Sequence, residues 1–320
     1  MIVTDEEHAI SEQHQLVLLL AYLQTQDYQF TTISPASHAK VNNRIENAVG
    51  NDLVDIFGWN RPFKSEAVDS ALFELMQSAN ILTKLENGWK SQLRVSSMNG
   101  LLFFHSAYPT SSNDAVFFGP DTYRFARAIR HYFAINHPSV DKAVDIGTGS
   151  GVGAMMLALA LPEAEIIAVD INNEALKLAR ANMAAADIHH ITLMHSDLLN
   201  NVAGNFDLII ANPPYLLDES ERDYRHGGGQ LGAALSLDIV DTAIGRLNPN
   251  GTLLLYTGVA IVNGYDAFLA EASVKLDFAG FTYDYSEVDP DIFSEELDNE
   301  TYRIADRIAA VVLIARNHSA

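Results

Sequence analysis

The stretch Ala143-Val-Asp-Ile-Gly-Thr-Gly-Ser-Gly-Val-Gly153 decides the fold. Val144 and Ile146 predict a short buried strand, and the helix-forming residues 154–161 follow shortly after it. Between strand and helix stand three glycines at alternating positions, Gly147, Gly149 and Gly151. Glycine takes positive φ without steric penalty and lets a ligand lie against the backbone, so the sequence predicts a tight ligand-binding turn.

The glycine turn by itself leaves two ligand classes open. The pattern strand, turn, helix suits a nucleotide-like ligand. However, Gly149, Gly151 and Ala154 also spell the dinucleotide fingerprint G-x-G-x-x-A. The turn therefore predicts a Rossmann-like α/β fold without choosing the ligand.

The strands that follow the glycine turn in the sequence help to decide between the two ligand classes. A second strand, 166–170, ends in Asp170, which is the place for a carboxylate that accepts both hydroxyls of a ribose. A third, 191–194, is followed by Ser196-Asp197, and a fourth, 207–211, runs into Asn212-Pro-Pro-Tyr215. A nicotinamide enzyme has no use for that tetrapeptide.

With these four signatures in this order, residues 117–316 resemble the class I S-adenosylmethionine-dependent methyltransferases with an N-P-P-Y motif, in particular the HemK/PrmC family of glutamine N5-methyltransferases. The resemblance implies a seven-stranded sheet whose last strand is antiparallel, and S-adenosyl-L-methionine as cofactor. Gly119 and Tyr256 depart from that family, which has an arginine and an acid there. The cofactor residues implied are Thr122, Asp145, Gly147, Gly149, Gly151, Asp170, Ile171, Asp197, Leu198 and Asn212.

The resemblance assigns distinct parts of the cofactor to the acids. Asp145 is expected to face the methionine ammonium group, Asp170 the ribose, and Asp197 the adenine amino group with Leu198 beside the ring. Thr122 matches the last residue of a conserved P-E-T segment of the family. No metal is expected, and without cysteine neither a thiolate zinc site nor a cysteine nucleophile can form.

The tetrapeptide Asn212, Pro213, Pro214 and Tyr215 is the predicted catalytic group. An amide nitrogen is a poor nucleophile because its lone pair is delocalised. The Asn212 side-chain oxygen and the Pro213 carbonyl can accept hydrogen bonds from one NH2 group, which orients the nitrogen for attack. The prolines stiffen the loop, and Tyr215 can lie against a planar substrate.

The net charge of the chain bears on which class of molecule accepts the methyl group. The chain has 41 acidic and 20 basic residues and a formal charge of −21, and a nucleic-acid enzyme must neutralise phosphates with Lys and Arg. We expect a neutral or cationic acceptor, either a protein glutamine of the release-factor type or a small molecule. An adenine N6-methyltransferase and a cofactor-binding variant with other chemistry are lesser alternatives.

Composition and sequence breaks predict a cytoplasmic protein of two domains. The longest apolar runs, such as 16–23, are too short to cross a bilayer. Residues 1–107 predict a mainly helical, winged-helix-like module for substrate binding or dimerisation, with helices over 6–27 and 67–85 and a hairpin at Asn99-Gly100. Residues 108–320 are the predicted methyltransferase domain. The oligomeric state stays open.

Two further segments are predicted to lie near the substrate. The triple glycine in 226–232 indicates a loop that is mobile or closely approached, with His226, Arg222 and Arg225 as candidate polar residues. The acidic stretch 289–306 follows a strand that ends at the ligand-binding edge. We expect it to form either a solvated loop or a lid that docks a cationic substrate.

Overall fold

The computed structural model describes residues 5–110, 112–217 and 225–318, with side chains described from residue 12 onward. The chain forms two compact units: unit 1 is Met1–Tyr123, Gly149–Gly151 and Lys177–His189, and unit 2 is Arg124–Thr148, Val152–Leu176 and His190–Ala320. None of the helices in the described ranges has the length and apolar character needed to cross a membrane. Separate functions for residues 1–107 and 108–320 stay a prediction.

Unit 1 combines helices with two hairpins. Its helices are α1 (Asp5–Thr25), α2 (Pro35–Asn42) and α3 (Ser70–Ser78), with a π-helical turn at Val54–Gly58. Strand β1 (Leu82–Leu85) pairs with β2 (Gly88–Ser91), and β3 (Leu93–Met98) pairs with β4 (Leu101–Ser106). The predicted Asn99-Gly100 hairpin is confirmed, since both residues take positive φ between the paired Met98 and Leu101.

The predicted helix over 67–85 is wrong in its second half. Asp69 caps α3 by accepting a hydrogen bond from the Leu72 N–H at 2.8 Å. The helix ends at Ser78, and Asn80 then takes a left-handed φ of 55°. The chain continues as β1, which turns at residues 86–87 into β2.

From Pro120 onward, helices alternate with strands. The helices are α4 (Pro120–Asn136), α5 (Val152–Ala160), α6 (Asn173–Ala185), α7 (Ala234–Arg246) and α8 (Ala267–Phe278). The strands are β5 (Lys142–Ile146), β6 (Glu165–Asp170), β7 (Ile191–His195), β8 (Phe206–Ala211), β9 (Leu247–Val262), β10 (Tyr265–Asp266), β11 (Phe281–Asp289) and β12 (Arg307–Asn317).

These strands build the sheet of unit 2 in the order β11-β12-β9-β8-β5-β6-β7, with the short β10 paired to β9. Strand β12 is antiparallel to both neighbours, and the other six strands of that row run parallel to one another. The predicted α/β sheet with an antiparallel last strand is therefore confirmed. All but one residue of each of the strands β5 and β8 is buried, as expected for parallel strands covered on both faces.

Candidate functional site

The carboxyl ends of β5, β6, β7 and β8 lie at one edge of the unit 2 sheet. Ile146 pairs with Val169 and with Ala211, and Asp170 pairs with His195. The segments that follow these strands therefore start side by side. The strand ends and the segments after them carry the sequence-predicted residues Asp145, Gly147, Asp170, Ile171, Asp197, Leu198 and Asn212, whereas Thr122, Gly149 and Gly151 belong to unit 1.

Asp145 is an enclosed carboxylate with one unused oxygen. The side chain is 1% exposed, and its Oδ2 accepts hydrogen bonds from Thr148 Oγ1 at 2.7 Å and the Ala154 N–H at 2.9 Å. Its Oδ1 is the only enclosed side-chain polar atom without a hydrogen bond in the described residues. Burial raises the pKa of Asp145 to about 7, because desolvation outweighs these two hydrogen bonds. The site can accept one more donor.

The glycine turn has open space at two of its three glycines. Gly147 and Thr148 donate their N–H groups to the Val169 carbonyl, each at 2.9 Å. Gly147 and Gly149 have φ of 69° and 54°, and a methyl group on either would meet no atom within 4 Å. Positive φ rather than crowding therefore requires glycine at these two positions.

Sequence reasoning missed Asn182, which fixes the turn within unit 1. Its side chain is fully buried, and Nδ2 donates to the Ser150 carbonyl at 2.9 Å and the Phe104 carbonyl at 3.3 Å. Its Oδ1 accepts from the Phe104 N–H at 2.8 Å. Gly151 lies close by, since a methyl group there would come within 3.2 Å of the Ala179 Cβ. The sequence signal that could have identified Asn182 is that it is a single polar residue on the apolar face of α6.

Thr122 makes local contacts in unit 1. Its Oγ1 accepts from the Gly119 N–H at 3.1 Å, and its own N–H donates to the Gly119 carbonyl at 3.0 Å. These bonds close the turn at the start of α4. The hydroxyl therefore has a capping role in this structure, and its contact with a cofactor stays a prediction.

The remaining candidate cofactor residues differ in exposure. The Asp170 Oδ1 accepts from the Asn172 N–H at 2.9 Å, and the neighbouring Ile171 is 47% exposed. Asp197 is exposed at the start of a turn. Leu198 adopts φ of 46° in that turn and packs partly on the core. The edge thus presents an acid and an apolar side chain after each of two strands.

The Asn-Pro-Pro-Tyr corner leaves two oxygens without donors. Asn212 is half-buried, and neither its side chain nor the Pro213 carbonyl has a hydrogen bond with any described part of the chain. Tyr215 is 8% exposed and its ring centroid lies 6.2 Å from that of Phe293. Much of the Tyr215 ring is thus used in packing, while the two oxygens can accept a donor.

The glycine-rich loop is pressed against this corner. A methyl group on Gly227 would lie 2.1 Å from the Gly232 carbonyl oxygen and 2.8 Å from the Pro214 carbonyl oxygen. The Gly227 N–H donates to the Leu216 carbonyl at 2.7 Å, and its own carbonyl accepts from the Leu235 N–H at 2.9 Å. Of the two predicted alternatives, the structure has the close approach. Arg222 lies outside the described residues.

Gly227→Ala is expected to destabilise unit 2 by about 1–3 kcal/mol, because backbone atoms that cannot move aside surround the added methyl group. Gly245→Ala is the matched control. Gly245 lies within α7 and its added methyl group would meet nothing within 4 Å. That change should stabilise the chain by about 0.5–1 kcal/mol through helix propensity. Thermal unfolding of both variants measures the difference, and equal stabilities would contradict the packing.

The acidic segment 289–306 contacts the residues that follow the corner. Glu296 is 5% exposed, pairs with Arg225 and accepts from Asn299 Nδ2 at 2.7 Å. The Leu217 N–H donates to the buried Tyr302 hydroxyl at 2.8 Å. Glu296 is therefore an internal ion-pair partner of Arg225, and it is not a solvated acid. The lid itself stays a prediction.

Comparison with known proteins agrees with this geometry. Residues 132–270 match the family described as "Methyltransferase small domain". A ribosomal protein uL3 glutamine methyltransferase from Neisseria gonorrhoeae is 37% identical over 130 residues, which cover 37% of this chain and 44% of that protein. The predicted resemblance to the glutamine methyltransferases is confirmed.

Two release factor glutamine methyltransferases are similar to the same extent. The protein from Deinococcus radiodurans is 37% identical over 124 residues, which cover 36% of this chain and 44% of that protein. The protein from Lactococcus lactis is 36% identical over 128 residues, which cover 37% of this chain and 47% of that protein. The chain thus spans less than half the length of the curated relatives it matches.

Proposed function

We propose that this chain, whose residues 132–270 match the family described as "Methyltransferase small domain", transfers a methyl group from S-adenosyl-L-methionine to the side-chain amide nitrogen of a protein glutamine. The observation that carries the proposal is the Asn-Pro-Pro-Tyr corner. Its Asn212 and Pro213 oxygens have no donor among the described residues and lie at the edge of the unit 2 sheet that also carries Asp145 and Asp170.

The residues at the edge fit the proposed cofactor. The unused Asp145 Oδ1 suits the ammonium group of its methionine part, and the Asp170 carboxylate suits the ribose hydroxyls. The exposed Ile171 and the half-buried Leu198 offer apolar surface for the adenine ring, with Asp197 as an acceptor for its amino group. When bound, the cofactor supplies an electrophilic methyl group on a sulfonium sulfur.

The chain's own contribution is orientation of the acceptor nitrogen. The two hydrogen atoms of a glutamine NH2 group can bond to the Asn212 side-chain oxygen and the Pro213 carbonyl. These bonds hold the nitrogen in one direction and favour the geometry in which its lone pair leaves conjugation with the carbonyl. A strong base is not required, because the nitrogen becomes acidic once it has been methylated.

Two observations support a protein glutamine as acceptor. The three relatives described above are glutamine methyltransferases of ribosomal protein uL3 or of release factor. The formal charge of −21 disfavours binding to the phosphates of DNA or RNA. The acidic segment 289–306 would add a preference for a cationic protein surface around that glutamine.

Transfer of radiolabelled methyl groups tests the proposal. The full chain is incubated with labelled S-adenosyl-L-methionine and, separately, with release factor, ribosomal protein uL3, total RNA, DNA and a low-molecular-weight cell extract. We expect label in one of the two proteins, and loss of that label when its acceptor glutamine is changed to asparagine. Label confined to small molecules or to nucleic acid, or cofactor binding without transfer, would refute the glutamine assignment.

A further inference from the structure

Unit 1 contains a buried cation without an acidic partner. Arg94, on β3, is 5% exposed, and no described carboxylate pairs with it. Its Nε donates to the Gly58 carbonyl at 2.9 Å, and its Nη2 lies 3.3 Å from Thr32 Oγ1 and 3.4 Å from His38 Nδ1. All three acceptors are neutral. A buried charge that is hydrogen-bonded but not neutralised is unfavourable, so Arg94 requires an explanation.

The histidines beside Arg94 do not supply a negative charge. Burial lowers the pKa of His38 to about 4, and burial lowers the pKa of His105 well below its usual value, so both rings are neutral at pH 7. Burial also lowers the pKa of Arg94 to about 10, which leaves the guanidinium charged at that pH. The local charge is therefore positive.

Lys90 adds a second cation to the same region. Its Nζ donates to the Tyr108 carbonyl at 2.6 Å, and no described carboxylate pairs with it either. Burial, together with the charge of Arg94, lowers the pKa of Lys90. The contrast with the whole chain is large, since acidic residues outnumber basic ones by 41 to 20. By comparison, Arg61 in the same unit does have an acidic partner, Asp55.

A small cavity lies against this guanidinium. Its volume is about 20 Å³, and its lining combines buried residues such as His105 with half-buried ones such as Tyr108 and Thr110. The Nη1 nitrogen of Arg94 makes no hydrogen bond with the described residues. It is also absent from the fully enclosed atoms, so part of its surface is accessible. It must therefore face accessible space, and Arg94 lines this cavity.

We propose that the cavity is an anion-binding site in which Arg94 Nη1 holds a compact monovalent anion, either a carboxylate group or a halide ion. The size selects this class, because one ordered water needs roughly 10–15 Å³ by the same measure. A nucleotide or a phosphorylated sugar is therefore too large. A planar guanidinium is well suited to carboxylate oxygens, and the neutral His38 and His105 do not compete for the anion.

The anion site is tested directly on the full chain without cofactor or methyl acceptor. The outcome of this test is therefore independent of the proposed methyl transfer. Sodium chloride, formate, acetate and methanesulfonate are titrated at constant ionic strength. The Nε–H resonance of Arg94 is followed by NMR, since its bond to Gly58 protects it from exchange. We expect a saturable shift with chloride or formate, and a rise in Tm of about 2–4 °C near saturation.

The pattern of responses identifies the anion. Saturation by formate and acetate assigns a carboxylate site, and saturation by chloride alone assigns a halide site; the bulkier methanesulfonate should have no effect. Equal effects of all four salts, or no shift of the Arg94 resonance, would overturn the proposal. Arg94 would then serve only to bond the Gly58 and Thr32 oxygens.

Two variants sharpen the result. Arg94→Gln should remove the dependence of Tm on anion identity, whereas Arg44→Gln should leave it unchanged, because Arg44 is an exposed arginine of the same unit. If Arg94→Gln does not fold, the titration of the unaltered chain still decides the question. Retention of the anion effect in a folded Arg94→Gln variant would contradict the site.

Discussion

Asn212→Ala is expected to lower kcat for methyl transfer by about 10²–10³, while the Kd for S-adenosyl-L-methionine stays within a factor of about three. The factor is that measured when one preorganised hydrogen-bonding group is removed from an active site. The change removes one of the two oxygens proposed to hold the acceptor nitrogen. It should leave the fold intact, since the Asn212 side chain makes no hydrogen bond within the described chain. Single-turnover kinetics and calorimetry separate the two quantities.

Asn205→Ala is the matched control. Asn205 is an exposed asparagine that precedes β8, the strand that Asn212 follows, and it likewise has no side-chain hydrogen bond among the described residues. Its replacement should change neither kcat nor Kd. If Asn212→Ala retains the full rate, the Asn-Pro-Pro-Tyr corner does not orient the nucleophile and the proposed mechanism fails.

Asp145→Asn is expected to have opposite effects on stability and on cofactor binding. Burial raises the pKa of Asp145 from 3.8 to about 7, so between these pH values the folded chain holds a proton that the unfolded chain has released. The contribution of Asp145 to the free energy of unfolding therefore declines as pH rises from about 4 to about 7, by roughly 4 kcal/mol, and is constant above that range. The side-chain amide of the Asp145→Asn variant does not titrate, so the variant does not lose stability in this way.

The Asn variant should consequently have a higher Tm than the unaltered chain at pH 8 and a similar Tm at pH 4. Its affinity for S-adenosyl-L-methionine should fall by a factor of about 10² or more, since an ammonium group would meet no negative charge. In the unaltered chain that affinity should rise with pH through about 7. Thermal unfolding and calorimetry over pH 4–9 measure all three trends.

Glu163→Gln serves as the control for Asp145→Asn, because Glu163 is an exposed carboxylate of the same unit. Its replacement should alter neither the pH profile of stability nor the cofactor affinity. An Asp145→Asn variant that binds the cofactor normally would show that Oδ1 does not receive the ammonium group.

The sequence was sufficient for features with short-range causes. Alternating glycines after an apolar strand required positive φ, and the Asn99-Gly100 dipeptide required a two-residue turn, so both were predictable. The parallel strands were predictable because each is a short apolar run followed by a polar residue at the functional edge. Their common direction then brought Asp145, Asp170 and Asn212 to one edge.

Features with long-range causes were not predictable in this way. The burial of Glu296 depends on Arg225, a residue 71 positions earlier in the chain. Arg94 lies in a strand that is buried on both faces. The alternation of apolar and polar residues along the sequence therefore could not reveal that Arg94 lacks an acidic partner. The false helical prediction over 82–85 arose because helix and strand patterns are hard to distinguish in a short apolar segment.

The triple hydrogen bond of Asn182 bears on how this protein can be dissected. It joins the carbonyl of Ser150, in the glycine turn, to both backbone groups of Phe104 in the second hairpin. A cut at residue 107 would remove Phe104 and leave the Asn182 amide without two of its three bonds. Residues 108–320 are therefore not an interchangeable module, and chimeras that exchange the segment before them must preserve that hairpin.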